Sequence, residues 1–432
     1  MSEECGLAGP DAAVCLRVAC GTTEDVVDGD GRLWQADVAS AQLRRIGGGS
    51  AQREADLPLH PVALAPLLRT ECVAPEGYRF DLPAGIYNLR LVVAETFESM
   101  ASLERTFELR VQGDQLRTSI RPAAVAGGFG RAGLVEVSGI VVGAAGLAVD
   151  FGPGAALYGI EIVAGTVADQ AVQLRCRALA PAPAAPPDRS APAAQRLRML
   201  FVGHSGTFYW AMPETLALHL RGSRPDIELV HEACLHGGKD VRFFCEWTLV
   251  EERLSAGAWD AVVVQDSSWG PIEAPEIFRE WMPRLIDRVH AVGALPVCYA
   301  YHGPARHGPD QRRELMQRYA SMAREQGAAL IPAVSALDLV RERHPTVALQ
   351  NPDGHHLGIN AGYTNACCFL RVIGGVDPRE PLHTSILGGH AHLATERAAA
   401  LAACAAEACT RWWDHQPGAV QRAGGVADAV FT

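Results

Sequence analysis

Four short polar clusters hold the residues of this chain best suited to chemistry. Ser205 stands in Gly203-His204-Ser205-Gly206-Thr207, directly after the apolar run Leu200-Phe201-Val202. Gly237-Gly238 and Gln265-Asp266-Ser267-Ser268 close two later apolar runs. Asp353 and His356 lie three residues apart in Asn351-Pro-Asp-Gly-His-His-Leu-Gly358. A serine hydroxyl is a weak nucleophile near neutral pH; it needs a base, and the base needs an orienting group. The Asp-x-x-His spacing lets the Asp353 carboxylate fold back onto the His356 imidazole and hold its tautomer. His356 could then take the Ser205 proton and deliver it to a leaving alcohol. Backbone N–H groups of Ser205 and Gly238, with Gln265 or Ser267 as side-chain donor, could bind the oxyanion that develops.

Each of these residues also has a plainer reading. Serine often caps a helix, and Met212, Leu216 and Leu220 announce one just beyond Ser205. Gln265 could simply tie off the end of a strand. His355 adjoins the expected base, but the three-residue spacing favours His356. Zinc held by His204, His236 and His355 lacks the local ligand pair that such sites use, so no metal and no cofactor are expected. His204, His302 and Trp269 fall where a substrate cleft would open and are expected to contact substrate.

Positioning these residues takes alternating strands and helices. Strand-like runs occur at 199–202, 227–232, 261–265, 295–299 and 329–332, with helical patterns at 241–254, 276–292, 312–326, 336–343 and 359–373. Strands separated by helices imply a parallel sheet covered on both faces, with sites outside the carboxyl ends of its strands. Three of the polar clusters fall at those ends. An Ala- and Leu-rich helix over 394–413, anchored by Trp412 and Trp413, should pack on this domain, which is expected to span 197–415. The last fifteen or so residues, small and polar, are expected to be loosely ordered.

Residues 12–177 have a different grammar. Short apolar or alternating runs are punctuated by Gly, Asp and Pro, which suggests an all-β sandwich or barrel. Between the two regions, 178–196 is rich in Pro and Ala and reads as a linker. A chain of 432 residues makes two domains the default. The net charge of −11 argues against nucleic acid or an anionic membrane surface as the main partner. The 12 cysteines include no CxxC pair and several sit in apolar runs, so buried free thiols are expected. No signal peptide is visible at Met1-Ser-Glu-Glu, which points to the cytoplasm, or to a secreted or periplasmic protein if the amino terminus was trimmed.

Two resemblances add to this. Val18-Ala-Cys-Gly21, Trp34-Gln-Ala-Asp37, Tyr78-Arg-Phe-Asp-Leu-Pro-Ala-Gly-Ile-Tyr87, Ala94-Glu95, Arg105-Thr-Phe107 and Leu157-Tyr-Gly-Ile-Glu-Ile162 resemble a malectin-type carbohydrate-binding domain. That resemblance implies a sugar-binding β-sandwich, with Trp34 stacking on a sugar and Asp37 or Glu95 accepting hydroxyl hydrogens. Gly203-His-Ser205, Gly237-Gly238 and Asp353-Gly-His-His356 resemble three blocks of the SGNH, or GDSL-like, hydrolase superfamily. That implies a three-layer, flavodoxin-like α/β fold and metal-free ester hydrolysis through an acyl-serine. Two positions depart from the family: His204 replaces the usual Asp or Asn, and no asparagine stands near Gln265. The combined expectation is a serine esterase removing an acyl group, most simply acetyl, from a carbohydrate or acylated glycan. The alternatives are a catalytically impaired domain in a glycan-binding or scaffolding protein and, more weakly, a lipase or thioesterase. A β module of this kind could also support a homo-oligomer.

Overall fold

A computed structural model describes residues 7, 14–99, 103–113, 115–165, 172–180 and 195–431. Most of the expected linker, residues 181–194, lies outside the described residues. The described chain divides into two compact units: residues up to Phe97 together with Ala101–Pro186, and Pro187–Thr432 together with the short segment from Glu98.

The first unit contains two largely antiparallel sheets, of seven and six strands. Alternating side chains from both sheets, among them Leu89, Leu91, Leu109, Val135, Val149 and Ile160, merge into one apolar core. Period-two alternation of this kind buries one face of each strand. The longest strand that composition conceals is Leu43–Gln52, which pairs with Thr70–Phe80 through a register shift after Ile46.

The residues expected to bind sugar here do not face solvent. Trp34 is fully buried, and its Nε1–H donates to Asp28 Oδ2 at 2.9 Å. Its ring offers no face to a ligand, which corrects the stacking expectation. Asp37 is buried too; its Oδ2 accepts from the Gly21 amide, the Arg45 guanidinium and the Tyr78 hydroxyl at 2.7–2.8 Å. Glu95 is buried, takes the Phe97 amide at 2.9 Å and pairs with Arg105. Burial pushes its carboxyl up to about 7 against the opposing pull of Arg105. All three are interior residues of the unit, not a glycan surface.

The second unit is built on a five-stranded parallel sheet, numbered within this unit as β1 Gln195–Gly203, β2 Ile227–Leu235, β3 Ala261–Val264, β4 Leu295–Tyr299 and β5 Ala329–Ile331. The strands lie in the order β2-β1-β3-β4-β5. All four residues of β3 are buried, as a central strand covered on both faces requires. The order reverses between β1 and β3, and at such a switch point the loops leave in opposite directions and open a crevice. The expected helix over 241–254 is two, Val241–Glu246 and Thr248–Ala256, broken at extended Trp247.

Helix Thr395–Arg411 forms as expected, and Trp412 Nε1–H bonds Ser335 Oγ at 2.8 Å. The tail beyond it is not loose. Gly418–Ala423 and Val426–Phe431 are helical, Val420, Val426 and Ala427 are buried, and Arg224 grips Asp428 at 2.9 Å. Small residues let this tail lie close against the end of helix Ile359–Gly374, which composition alone does not show.

Candidate active site

Ser205 begins a short helix, Ser205–Phe208, at the end of β1. The cap is not Ser205. His204 occupies that position in extended backbone, and its Nδ1 accepts the Gly206 N–H at 3.1 Å. The capping role that serine often plays is therefore already filled, and the Ser205 hydroxyl is left over. Ser205 Oγ lies 3.4 Å from His204 Nδ1, a long contact. Burial, together with nearby His355 and His356, pulls the His204 imidazole down to about 3, so it is neutral in the folded protein. With Nδ1 accepting from Gly206, the ring proton belongs on Nε2, which is buried without a partner.

Gln265 holds this turn from below. It is fully buried, and its Oε1 accepts from the His204 amide at 3.2 Å and the Thr207 hydroxyl at 2.9 Å. A Cβ at Gly203 would fall 2.6 Å from that Oε1, and one at Gly206 would fall 2.7 Å from Gln265 Nε2. Both positions need glycine because the turn lies directly on the glutamine. Gln265 thus acts as a strand-end anchor, while its Nε2 stays buried and unpartnered. Gly237 lies against the Phe208 ring, and Gly238 follows it in an exposed left-handed turn at φ +69°.

Asp353 and His356 meet as their spacing implies. His356 Nδ1 and Asp353 Oδ2 are 2.7 Å apart, and Asp353 Oδ1 accepts from the amides of His355 and His356 at 2.8 and 2.9 Å. Partial burial opposes ionisation, but the His356 ring and these two amides win and hold the Asp353 carboxyl at about 2. A carboxylate on Nδ1 leaves the lone pair on His356 Nε2, the tautomer a general base requires. The His356 ring also stacks on Tyr209, with centroids 4.3 Å apart and planes within 6°. In the sequence the aromatic cluster Phe208-Tyr209-Trp210 reads as core packing; the stacking of Tyr209 on His356 and the tie from Trp210 go beyond that reading.

The ties are specific. Trp210 Nε1–H donates to the Leu357 carbonyl at 2.9 Å, joining the serine turn to the histidine loop. Trp210 and Ala211 both take left-handed backbone, at φ +63° and +48°. Two consecutive non-glycine residues in that region are costly and mark a turn held by its surroundings. Glu98, whose segment groups with this unit, accepts the Trp210 N–H on its carbonyl at 2.9 Å and the Asn351 amide on its carboxylate at 3.4 Å.

The structure thus brings Ser205, His204, Gln265, Tyr209, Asp353 and His356 to the carboxyl ends of the strands. It does not close the last link, since no hydrogen bond joins Ser205 to His356. His302 is buried, with its Nε2 2.9 Å from His307 Nδ1, and Trp269 is half-buried at the start of a short helix, Gly270–Glu273. The expectation that His302 faces substrate is corrected: its ring is buried, with Nε2 spent on His307 and Nδ1 without a partner. His236 packs on Phe243 and Trp247.

One further signal sets this region apart. Besides Asp37 Oδ1, Glu95 Oε2, Arg131 Nε and His219 Nδ1 elsewhere, the described residues leave seven buried side-chain polar atoms without a hydrogen-bond partner: His204 Nε2, Gln265 Nε2, Asp266 Oδ2, Ser267 Oγ, His302 Nδ1, Asn351 Oδ1 and Asn365 Oδ1. All seven belong to the strand ends, the loops beyond them or the helix that follows the histidine loop. Native interiors leave few such atoms, and their concentration marks a site built for something other than stability. No group of three His, Cys, Asp or Glu among the described residues is placed to hold a metal ion, and no helix there is long and apolar enough to cross a membrane.

No protein-family model matches the chain, and no curated protein does. Solved structures resemble parts of it. A Slackia heliotrinireducens protein described as an SGNH hydrolase is 25% identical over 40% of this chain and 97% of its own, with a TM-score of 0.35. A catalytic mutant of an acetylxylan esterase from Geobacillus stearothermophilus is 16% identical over 40% of this chain and 93% of its own, at 0.33. A β-glucuronidase from Bacteroides uniformis is 26% identical over 35% of this chain but only 18% of its own length, at 0.30. Superpositions this loose carry no functional weight, and the reading of the site rests on its own geometry.

Proposed function

We infer that the protein is a serine esterase working through an acyl-serine intermediate. The observation that carries this reading is the Asp353–His356 pair, with its tautomer set, tied through Trp210 to the turn that presents Ser205. Ser205 Oγ attacks the ester carbonyl while His356 Nε2 takes its proton. The tetrahedral oxyanion is held by the Ser205 and Gly238 amides, and the unpartnered Gln265 Nε2 is the side-chain donor on that side. His356 passes the proton to the departing alcohol. Water then enters, His356 deprotonates it, and collapse of the second intermediate frees the acid and Ser205. On this reading the Ser205–His356 bond, absent in the free protein, forms when substrate arrives.

The acyl group proposed is acetyl and the acceptor a carbohydrate. Their support is the resemblance of the first unit to sugar-binding modules, and no longer Trp34, Asp37 or Glu95 as contacts. The test is a fluorophosphonate probe together with an acetylated sugar and an aryl acetate as substrates. Labelling confined to Ser205 and turnover lost in Ser205→Ala are expected; turnover retained in that variant removes the scheme.

A second reading has one specific observation in its favour. The contact Ser205 does make is with His204, the residue that replaces the acidic or amide side chain of the resembling family. On that reading the serine is held in an inactive rotamer within a scaffolding protein, and the fluorophosphonate leaves it unlabelled.

A further inference from the structure

A cleft of about 580 Å³ opens on the second unit, away from the serine turn. Its walls come from helix Pro309–Glu325, helix Ala333–Arg343 and the end of helix Thr395–Arg411. That volume suits a small organic molecule. Four arginines line it, Arg312, Arg313, Arg341 and Arg411, against two acids, Asp338 and Glu342. Arg313 and Arg411 are answered outside the cleft by Asp310 and Glu407, and Glu407 also serves Arg343.

Arg312 and Arg341 are different. Both donate to the same oxygen of one carboxylate, Asp338 Oδ1, at 2.5 and 2.9 Å. Arg312 spends one more N–H on the His307 carbonyl at 2.7 Å. Two guanidinium groups carry ten N–H donors. The described residues account for three of them, although the side chains are only 12% and 24% exposed. Burial and the adjacent Arg312 charge both disfavour the Arg341 cation, and Asp338 offsets this only in part. Two half-buried cations share the Asp338 carboxylate where water screens them poorly, and Glu342, the other acid of the lining, makes no ion pair with either.

The rest of the lining fits an organic body behind an acidic head. Met316 and Leu339 supply apolar wall, and Trp412 is fixed in place by its bond to Ser335. We propose that this cleft binds a small organic anion, its carboxylate or phosphate forked by Arg312 and Arg341 and its apolar or aromatic body against Met316, Leu339 and Trp412. Guanidinium groups favour such planar, bidentate recognition.

The cleft is also wired to the loops around the serine. The His307 whose carbonyl Arg312 holds has its ring between His302 Nε2 at 2.9 Å and Glu273 Oε1 at 2.7 Å. Two residues before it, the Ala305 amide bonds the Gly354 carbonyl inside the Asp353–His356 loop at 2.9 Å. An occupied cleft therefore bears on the segment that supports the histidine loop.

Calorimetric titration of the full chain with phenyl phosphate tests the proposal. It does not depend on the esterase reading, and Ser205→Ala is expected to bind the probe as the parent does. Saturable binding is expected. It should weaken as sodium chloride rises, and inorganic phosphate should compete where phenol does not. Arg341→Met should weaken binding about tenfold or more, the scale of a lost charge-assisted pair. Trp412→Phe should weaken phenyl phosphate more than inorganic phosphate. If Arg341→Met fails to fold, Arg341→Lys keeps the charge, loses the fork and is expected to weaken binding by a smaller factor. Absence of saturable heat in the parent, or a folded Arg341→Met that binds as tightly as the parent, overturns the proposal. The arginines would then only brace Asp338.

Discussion

Both units bury charged and polar side chains, but they spend them differently. In the first unit the buried acids Glu161, Glu71 and Asp28 are answered by cations and hydroxyls, and among its described acids only Asp37 and Glu95 keep one buried oxygen each without a hydrogen bond. Glu161 takes Arg17 and Arg90 at 2.7 and 2.9 Å, Glu71 takes Arg53 and the Tyr158 hydroxyl, and Asp28 takes Arg32 and the Trp34 indole. A buried charge is tolerated only on such terms, because an unanswered one costs several kcal/mol. In the second unit, buried donors and acceptors stand idle around one serine and one histidine loop. The contrast separates polar groups that hold a fold together from polar groups kept in reserve for a ligand or a reaction.

The largest expected effect breaks the contrast at its centre. Ser205→Ala should lower aryl acetate turnover by about ten-thousandfold or more, the scale seen when a nucleophile is removed from such a triad, with the thermal midpoint nearly unchanged. Asp353→Asn comes next. It preserves the loop but misdirects the His356 tautomer, and kcat should fall by about a thousand- to ten-thousandfold. A loss below tenfold in steady-state assays would detach Asp353 from the reaction.

Trp34→Ala probes the other side of the comparison. It removes a fully buried indole and should cost about 3–5 kcal/mol in denaturant unfolding of the first unit. The KM for a small aryl ester should not move. Gln265→Ala stands between the two classes: it withdraws the anchor of the serine turn and a candidate oxyanion donor. A loss of about 100-fold in kcat is expected, with some loss of stability.

The last effect leaves turnover aside and concerns pH dependence. Burial raises the Asp266 carboxyl to about 7, and the Val241 amide bonded to its Oδ1 only partly offsets this. The folded state therefore prefers the protonated acid. Its contribution to stability is complete below the unfolded value near 3.8 and is lost as pH rises through about 7. Asp266→Asn should flatten the thermal midpoint between pH 4 and 7 by about 10 °C, since the rise from 3.8 to about 7 is worth about 4 kcal/mol and each kcal/mol moves a domain of this size by about 2–4 °C. An unchanged slope would mean that Asp266 is ionised throughout.

Much of the second unit was legible in the chain. Strands of the β3 kind are continuous apolar runs, and the helices between them announce themselves by period, so the parallel sheet and the polar clusters at its ends follow. The Asp353–His356 pair was legible for a local reason: three residues of one loop suffice to close it. The tail and the Gly-rich strand Leu43–Gln52 were not legible, because small residues carry no periodic apolar signal and their order comes from what they lie against.

What the sequence by itself determined is therefore whatever depends on spacing along the chain: element types, the histidine–carboxylate pair, and the glycines flanking Ser205. Tertiary structure alone decided which side of a residue faces water. Trp34, Asp37 and Glu95 have the residue types of a sugar site and became core, while His204 took the helix cap and left the Ser205 hydroxyl over. Burial depends on side chains brought together from far along the chain, as Trp210 and Leu357 are from 147 residues apart, and no local pattern encodes that meeting.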